Sequence, residues 1–351
     1  METTLMEKET NETLSIINNL ILNSDVLFLP IITALRNVEI HFIATIARGS
    51  SDHAATFAKY VFETQLEIAT ASIAPSIHTI YQKNINYKNS LVLGISQSGK
   101  SFDLVESMKY AKQNGAVTVS FINENNSPLA DQSKFNIPLL AGKEYSVAAT
   151  KSFIASLVRI IQLAYYLNPQ NSINIDCFKV ISQRLNEFAN DKDEFPIETF
   201  KNAKNFLVLG RGYTFPIAME AALKLKETSG IHAEAFSGAE VMHGPFELIN
   251  KSFPVIVFLN KDETLPNMLL LIENFLKKEA NIFIIGTNEI LKENKTLFLN
   301  LPVISIGNSI HPIANSILFI HKFYKFSALF AKSLGRNPDT PKNLNKVTST
   351  L

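Results

Sequence analysis

Short apolar runs, each stopped by a glycine- or serine-rich turn and followed by a helical stretch, constrain this chain more than any other feature. Residues Glu39 to Ala47 form such a run and stop at Arg48-Gly-Ser-Ser, with a helix expected from Ala54 to Glu67. The run Ser90 to Ile95 stops at Ser96-Gln-Ser-Gly-Lys-Ser; a helix (Asp103 to Asn114), Gly115 and a strand (Ala116 to Ile122) follow. Strands without polar alternation, separated by helices, belong to a parallel sheet covered on both faces. The second half repeats the plan. Asn205 to Leu209 ends at Gly210-Arg-Gly-Tyr-Thr and a helix runs to about Glu227. A strand (Pro254 to Leu259), a helix (Leu265 to Glu279) and a strand (Asn281 to Ile285) come next. Ala47-Arg-Gly-Ser-Ser overlays Gly210-Arg-Gly-Tyr-Thr. The expected fold is therefore α/β: two tandem doubly wound parallel-sheet repeats, a duplication rather than a solenoid.

A length of 351 residues suits two such units. We expect a helical N-terminal segment over 1–36, with one or two short helices from about residue 10, and a first domain over 37–167. A linker is expected over 168–200, where Pro, Asn and charge cluster around a short helix, and a second domain over 201–334. The stretch 335–351 holds too many helix breakers and reads as an extended tail. With 33 Lys+Arg against 32 Asp+Glu there is no field to steer nucleic acid. One cysteine, Cys177, excludes a disulfide framework or thiolate cluster, fits a reducing compartment and falls in the linker. None of the seven histidines pairs at metal-binding helix spacing, so no metal is expected. The N-terminus is acidic where a signal peptide is basic. The most apolar stretch, Ser316 to Phe330, is broken by His321, Lys322 and Lys325, so no bilayer span is expected. A soluble cytoplasmic protein is the expectation.

The strongest local signal is the turn Ser96, Gln97, Ser98, Gly99, Lys100, Ser101. Its hydroxyls, together with the free N–H groups of a helix start, form an anion cradle. It lacks the glycines of a Walker loop, which disfavours a nucleoside triphosphate. Taken alone, an N-cap and a polar turn describe it as well. Ser50 and Ser51, at the end of the neighbouring strand, point to the same carboxyl edge, where open α/β sheets bind ligands. Glu227 ends its helix beside Lys224 and Lys226, where an acid opposes the helix dipole; a general base is one reason to hold it there. His243, in Glu240-Val-Met-His-Gly-Pro, sits on a turn and reads first as a surface residue. His41 and His78 are assigned to packing.

Six segments in order resemble the sugar isomerase (SIS) family. They are Ala47-Arg-Gly-Ser-Ser-Asp, Ile95-Ser-Gln-Ser-Gly, Ser146-Val-Ala-Ala-Thr-Lys-Ser, Ala222-Leu-Lys-Leu-Lys-Glu, Ile231-His-Ala-Glu-Ala-Phe and His243-Gly-Pro. The pattern is most similar to the isomerase half of glutamine–fructose-6-phosphate aminotransferase and to stand-alone glucosamine-6-phosphate deaminases. The resemblance runs from about residue 6 to Lys346 and implies two SIS repeats in a homodimer with the active site at the interface. It implies that Ser96, Gln97, Ser98 and Ser101 hold a sugar phosphate and that Ser51 and Val147 line the sugar. It makes Glu227 the acid that carries a proton between C1 and C2, with Lys224 beside it. It makes His243 the ring opener, often supplied by the partner subunit. Lys346 becomes a C-terminal lysine able to pair covalently with an open-chain carbonyl. No cofactor is implied.

The chain begins Met-Glu, without the catalytic cysteine of a glutaminase domain, so glutamine-dependent synthesis is not expected. Without ammonia fed in, mass action favours release. The leading expectation is an enzyme converting glucosamine 6-phosphate and water to fructose 6-phosphate and ammonia. The same site serves a fructosamine-6-phosphate deglycase, or an isomerase or deaminase for a galactosamine- or tagatose-type phosphosugar. A phosphosugar-binding regulator is the reading from another class. The second-half counterpart of the phosphate turn, Leu259-Asn-Lys-Asp-Glu-Thr, has acids where the first has serines, so one phosphosugar site per chain is expected.

Overall fold

The computed structural model describes residues 3–22, 24–36, 38–170, 173–191 and 193–346; the end of the expected tail, 347–351, lies outside the described residues. The chain divides into two compact units. One comprises Ser15–Glu144, Lys151–Asp176 and Asn345–Leu351, and the other Met1–Leu14, Tyr145–Thr150 and Cys177–Leu344.

The first of these units is built on five strands, β1 (Phe42–Ile46), β2 (Thr70–Ser72), β3 (Ser90–Ser96), β4 (Val117–Ile122) and β5 (Phe135–Pro138). They lie in the order β2-β1-β3-β4-β5, every pairing parallel. β3 is buried along its whole length, which is why it reads as an uninterrupted apolar run. β1 and β3 are in register from Phe42↔Ser90 to Ile46↔Gly94. The second unit holds β6 (Asn205–Gly210), β7 (His232–Ser237), β8 (Pro254–Leu259), β9 (Asn281–Gly286) and β10 (Val303–Ser305). Their order, β7-β6-β8-β9-β10, is that of the first sheet, again all parallel. Each unit is thus a doubly wound α/β layer, with a topological switch point between β1 and β3 in one and between β6 and β8 in the other.

The short edge strands β2, β5 and β10, and the half-exposed β7, are not among the strands expected from apolar runs. With three or four residues, or with His232 and Glu234 exposed, they lack the continuous apolar signal. Three N-terminal helices replace the one or two expected: Leu5–Asn11, Thr13–Ile21 and Ser24–Leu35. The first starts early because Thr4 and Glu7 form a reciprocal capping box. The helix after β1 begins at Ser50 rather than Ala54, since Gly49 (φ 56°) turns the chain straight off the strand. His78 is a packed residue as expected, bonded to the Tyr87 hydroxyl (2.9 Å) and stacked on Tyr110. His41 is not: its side chain is 58% exposed, 3.8 Å from Glu39. The helix Lys151–Leu167 is continuously buried from Lys151 to Ala164. Its apolar content is therefore accounted for within the chain and gives no support to a dimer interface. No single helix among the described residues is long and apolar enough to cross a membrane.

Cys177 opens a helix, Cys177–Phe188, within the span expected as a linker around a short helix. The neighbouring Asp191 and Asp193 each meet the buried ammonium of Lys322 at 2.6 Å. Beside it, His321 is buried, its Nδ1 without a hydrogen-bond partner among the described residues. Burial, and then the charges of Lys325 and Lys322, push its pKa down to about 3, with the Thr10 backbone opposing them. The unfolded chain takes up this proton near the ordinary histidine pKa, so the stabilising effect is complete above about pH 6.5 and is lost as pH falls toward 3. Denaturant titrations should lose stability below pH 6.5 by up to about 1.4 kcal/mol per pH unit. His321→Gln should flatten that slope; an unchanged slope would show that His321 does not carry it.

Candidate functional site

In the first unit, the turns following β1 and β3 leave the sheet side by side at the switch point. Ser96 ends β3, and its Oγ accepts a hydrogen bond from Gly99 N at 3.0 Å. Ser98 Oγ accepts from Lys100 N at 3.3 Å. Gly99 has φ +63°, and its carbonyl accepts from Leu129 N at 3.1 Å. Gln97 and Ser98 are half-buried in this turn, and the half-buried Ser101 is the N-cap of the helix Phe102–Gln113, its side chain making no cap hydrogen bond. A helix start without a side-chain cap keeps N–H donors available to an anion. Ser50 and Ser51 open the helix Ser50–Leu66 from the adjoining strand.

Arg48 joins the two turns, its Nε and Nη2 donating to Asp103 Oδ2 at 2.9 and 2.8 Å. Asp103 is buried while the Arg48 side chain is half exposed, so the guanidinium brings a cation to the carboxyl edge. The same unit contains Lys346. Its Nζ donates at 3.0 Å to Glu144, a buried carboxylate that also accepts from Ser152 Oγ at 2.9 Å.

In the second unit, the helix Phe215–Ser229 continues two residues past Glu227 and closes on Gly230, whose φ of +60° makes the left-handed cap. The acid near the helix end is held there by a cation one turn back: Lys224 Nζ meets Glu227 Oε2 at 2.5 Å. Lys224 is completely buried and also lies 3.3 Å from the equally buried Glu220, which accepts from the Tyr324 hydroxyl at 3.1 Å. Burial alone would lower the pKa of Lys224, but the two carboxylates outweigh it and raise the pKa above the ordinary lysine value. Glu227 borders a cleft of about 880 Å³ whose rim also carries Lys226, Arg336 and Lys342. The Arg336 guanidinium lies so close over Gly230 that a Cβ there would sit 2.4 Å from Nη1.

Val147 is placed within this unit by the N-terminal helix. Its N–H donates to Asp339 O at 3.1 Å, while the Asp339 carboxylate caps Leu5 N and Met6 N at 2.8 Å each. Glu9 accepts from Tyr145 N and Ser146 N. His243 ends a short 3₁₀ turn, Glu240–His243, with an exposed side chain. The counterpart of the phosphate turn, after β8, is occupied by Asp262, which accepts from Thr264 N and Oγ1 at 2.9 and 2.5 Å. Among the described residues no cluster of three His, Cys, Asp or Glu side chains is arranged to hold a metal ion.

The expected residues thus fall into two groups. Ser50, Ser51, Ser96, Gln97, Ser98, Ser101 and Lys346 belong to the first unit, and Val147, Lys224, Glu227 and His243 to the second. Glu220, Tyr324, Asp103, Glu144, Glu9 and Asp339 are additions that the sequence alone did not single out. Most of their partners lie a hundred or more residues away, and a Glu–Lys pair four residues apart looks like a solvated helix face.

The SIS domain family matches residues 39–166 and 199–303. The chain is 32% identical over 311 residues to glutamine–fructose-6-phosphate aminotransferase [isomerizing] of Aquifex aeolicus, a match covering 88% of this chain and 51% of that protein. It spans about half the length of the curated relatives it matches. Its structure superposes on the C-terminal domain of glucosamine-fructose-6-phosphate aminotransferase from Francisella tularensis with a TM-score of 0.82 and 26% identity, covering 97% and 99% of the two chains. Glucosamine-6-phosphate deaminase from Thermotoga maritima shares the fold, with a TM-score of 0.70 at 20% identity over 97% of this chain and all of that one.

Proposed function

Because this chain belongs to the SIS family, we propose that it is a phosphosugar isomerase acting on an amino sugar, converting glucosamine 6-phosphate and water to fructose 6-phosphate and ammonia. The observation that carries this reading is Glu227, a carboxylate beside a buried ammonium at the edge of an open cleft. The hydroxyl-rich turn at the first switch point supplies the phosphate anchor. Ser96, Ser98 and Ser101, with the helix N–H groups and the Arg48 charge, offer donors to the phosphate oxygens. A phosphate anchored several carbons from the reacting atoms supplies binding energy and orientation for catalysis.

His243 moves the ring-oxygen proton, a task that suits an imidazole near neutrality. Glu227 then takes the proton from C2 and returns it to C1 while a proton lost by the C2 nitrogen ends on O1, turning the C2 amine and C1 aldehyde into a C2 imine and a C1 alcohol. Water adds to the imine carbon and ammonia leaves, so the atoms balance. Exposure of His243 in its own unit supports its service to a second copy of the chain in a homodimer.

The test is release of ammonia and fructose 6-phosphate from glucosamine 6-phosphate by the purified protein without glutamine. Stoichiometric release of both is expected. Saturable binding without release would overturn the deaminase and direct the assay to fructosamine, galactosamine and tagatose phosphates. Absence of binding would overturn the phosphosugar reading itself.

A further inference from the structure

The walls of the cleft beside Glu227 are the last turn of the helix Phe215–Ser229 and the irregular segment that follows the helix Pro312–Ser333. Lys226, Arg336 and Lys342 line it with exposed side chains, and none of the three meets a carboxylate among the described residues. Glu227, the acid in the lining, already faces Lys224 at 2.5 Å. With 33 Lys+Arg against 32 Asp+Glu the whole chain is nearly neutral, so three unpaired cations in one concavity are a local feature.

Helix ends account for part of this charge. Each of the two helix C-termini carries about half a negative charge, roughly one in all, and Lys226 and Arg336 stand beside them. Three cations exceed that, and Lys342 lies in a turn outside any helix. Like charges gathered together repel one another, while a concave wall of one sign concentrates its field on an incoming counter-ion. The volume, about 880 Å³, falls within the roughly 300–1,000 Å³ of pockets for small organic ligands. Leu223, Leu334 and Pro341 add apolar wall to the cationic rim.

We propose that this cleft is a binding site for a small organic polyanion, a ligand with an apolar body and at least two phosphate or carboxylate groups, held by Lys226, Arg336 and Lys342. The site goes beyond the phosphosugar reading and does not depend on Glu227 acting as a base.

Pyrophosphate and citrate are the probes, each titrated calorimetrically into the full-length protein. Saturable binding of at least one is expected, weakening steeply as NaCl rises from about 0.05 M to about 0.5 M. Binding of pyrophosphate alone assigns the ligand to phosphate esters, and of citrate alone to polycarboxylates. Lys226→Gln/Arg336→Gln/Lys342→Gln should lose roughly ten-fold or more in affinity, together with most of the salt dependence. The hydroxyl turn of the first unit is the competing anion site, so Gly99→Ala is titrated alongside and should keep the parent affinity for the probe. Loss in Gly99→Ala with none in the triple variant would place the probe at that turn and overturn the inference, as would the absence of saturable binding by either probe. The titration needs no turnover: binding in the cleft of a protein inactive on phosphosugars would sink the proposed function and leave this site standing. Should the triple variant not fold, Lys342 decides. Lys342→Arg should then keep the affinity and Lys342→Glu should lose more than Lys342→Gln; equal affinities in all three count against the site.

Discussion

Replacing Glu227 by glutamine is expected to leave phosphosugar binding intact and to slow turnover by roughly 10²–10⁴-fold, the usual worth of a general base. The side chains have nearly the same volume, and an amide oxygen still offers Lys224 an acceptor where the carboxylate stands at 2.5 Å. Lys224 also retains Glu220, so the buried ammonium is not stranded. What disappears is the carboxylate proposed to take a proton from C2. Isothermal titration with fructose 6-phosphate should give an affinity within a few-fold of the parent, because the phosphate anchor is untouched. A matching loss in kcat and kcat/KM identifies an interaction made only in the transition state. Near-normal turnover would remove Glu227 from the role of base.

The parts of the fold legible in the sequence are those where burial is two-sided. β1, β3, β4, β6, β8 and β9 announce themselves as apolar runs because helices cover both faces. β2 has only three residues, and the alternation in His232-Ala-Glu-Ala-Phe-Ser reflects an edge strand half open to water. The duplication was legible for a related reason, since equivalent strands precede equivalent turns, and the matching strand orders follow from it. In the site, the hydroxyl turn stood out because its residues are contiguous. The pair that ties it to its neighbour, Arg48 and Asp103, is separated by 55 positions and leaves no periodic trace. Glu227 was puzzling as an acid at a helix end, and Lys224 supplies the reason. Glu220 was hidden because helical spacing does not say which face of an amphipathic pattern is dry.

Gly99→Ala is expected to weaken phosphosugar binding at least ten-fold while leaving kcat nearly unchanged, and a comparison with Gly49→Ala isolates the cause. Both glycines hold left-handed backbone, φ +63° and +56°, where an alanine costs about 1–2 kcal/mol. Around Gly49 nothing lies within 4 Å of an added Cβ, so strain is its only penalty. At Gly99 the Cβ would come 2.2 Å from Ser127 Oγ and 2.7 Å from its Cβ. The turn must then shift, and with it the Gly99 N–H that holds Ser96 Oγ at 3.0 Å. Overpacking of this kind adds about 1–3 kcal/mol. The loss should fall on KM, because a phosphate anchor binds ground state and transition state alike. Removing the obstruction offers the decisive comparison. Ser127 Oγ is buried with no hydrogen-bond partner among the described residues, so Ser127→Gly gives up no bond of that hydroxyl. Gly99→Ala/Ser127→Gly should recover most of the affinity lost in the single variant, down to the strain cost seen at Gly49. Equal losses for Gly49→Ala and Gly99→Ala, with no recovery in the double variant, would show that close approach to Ser127 does not shape the cradle.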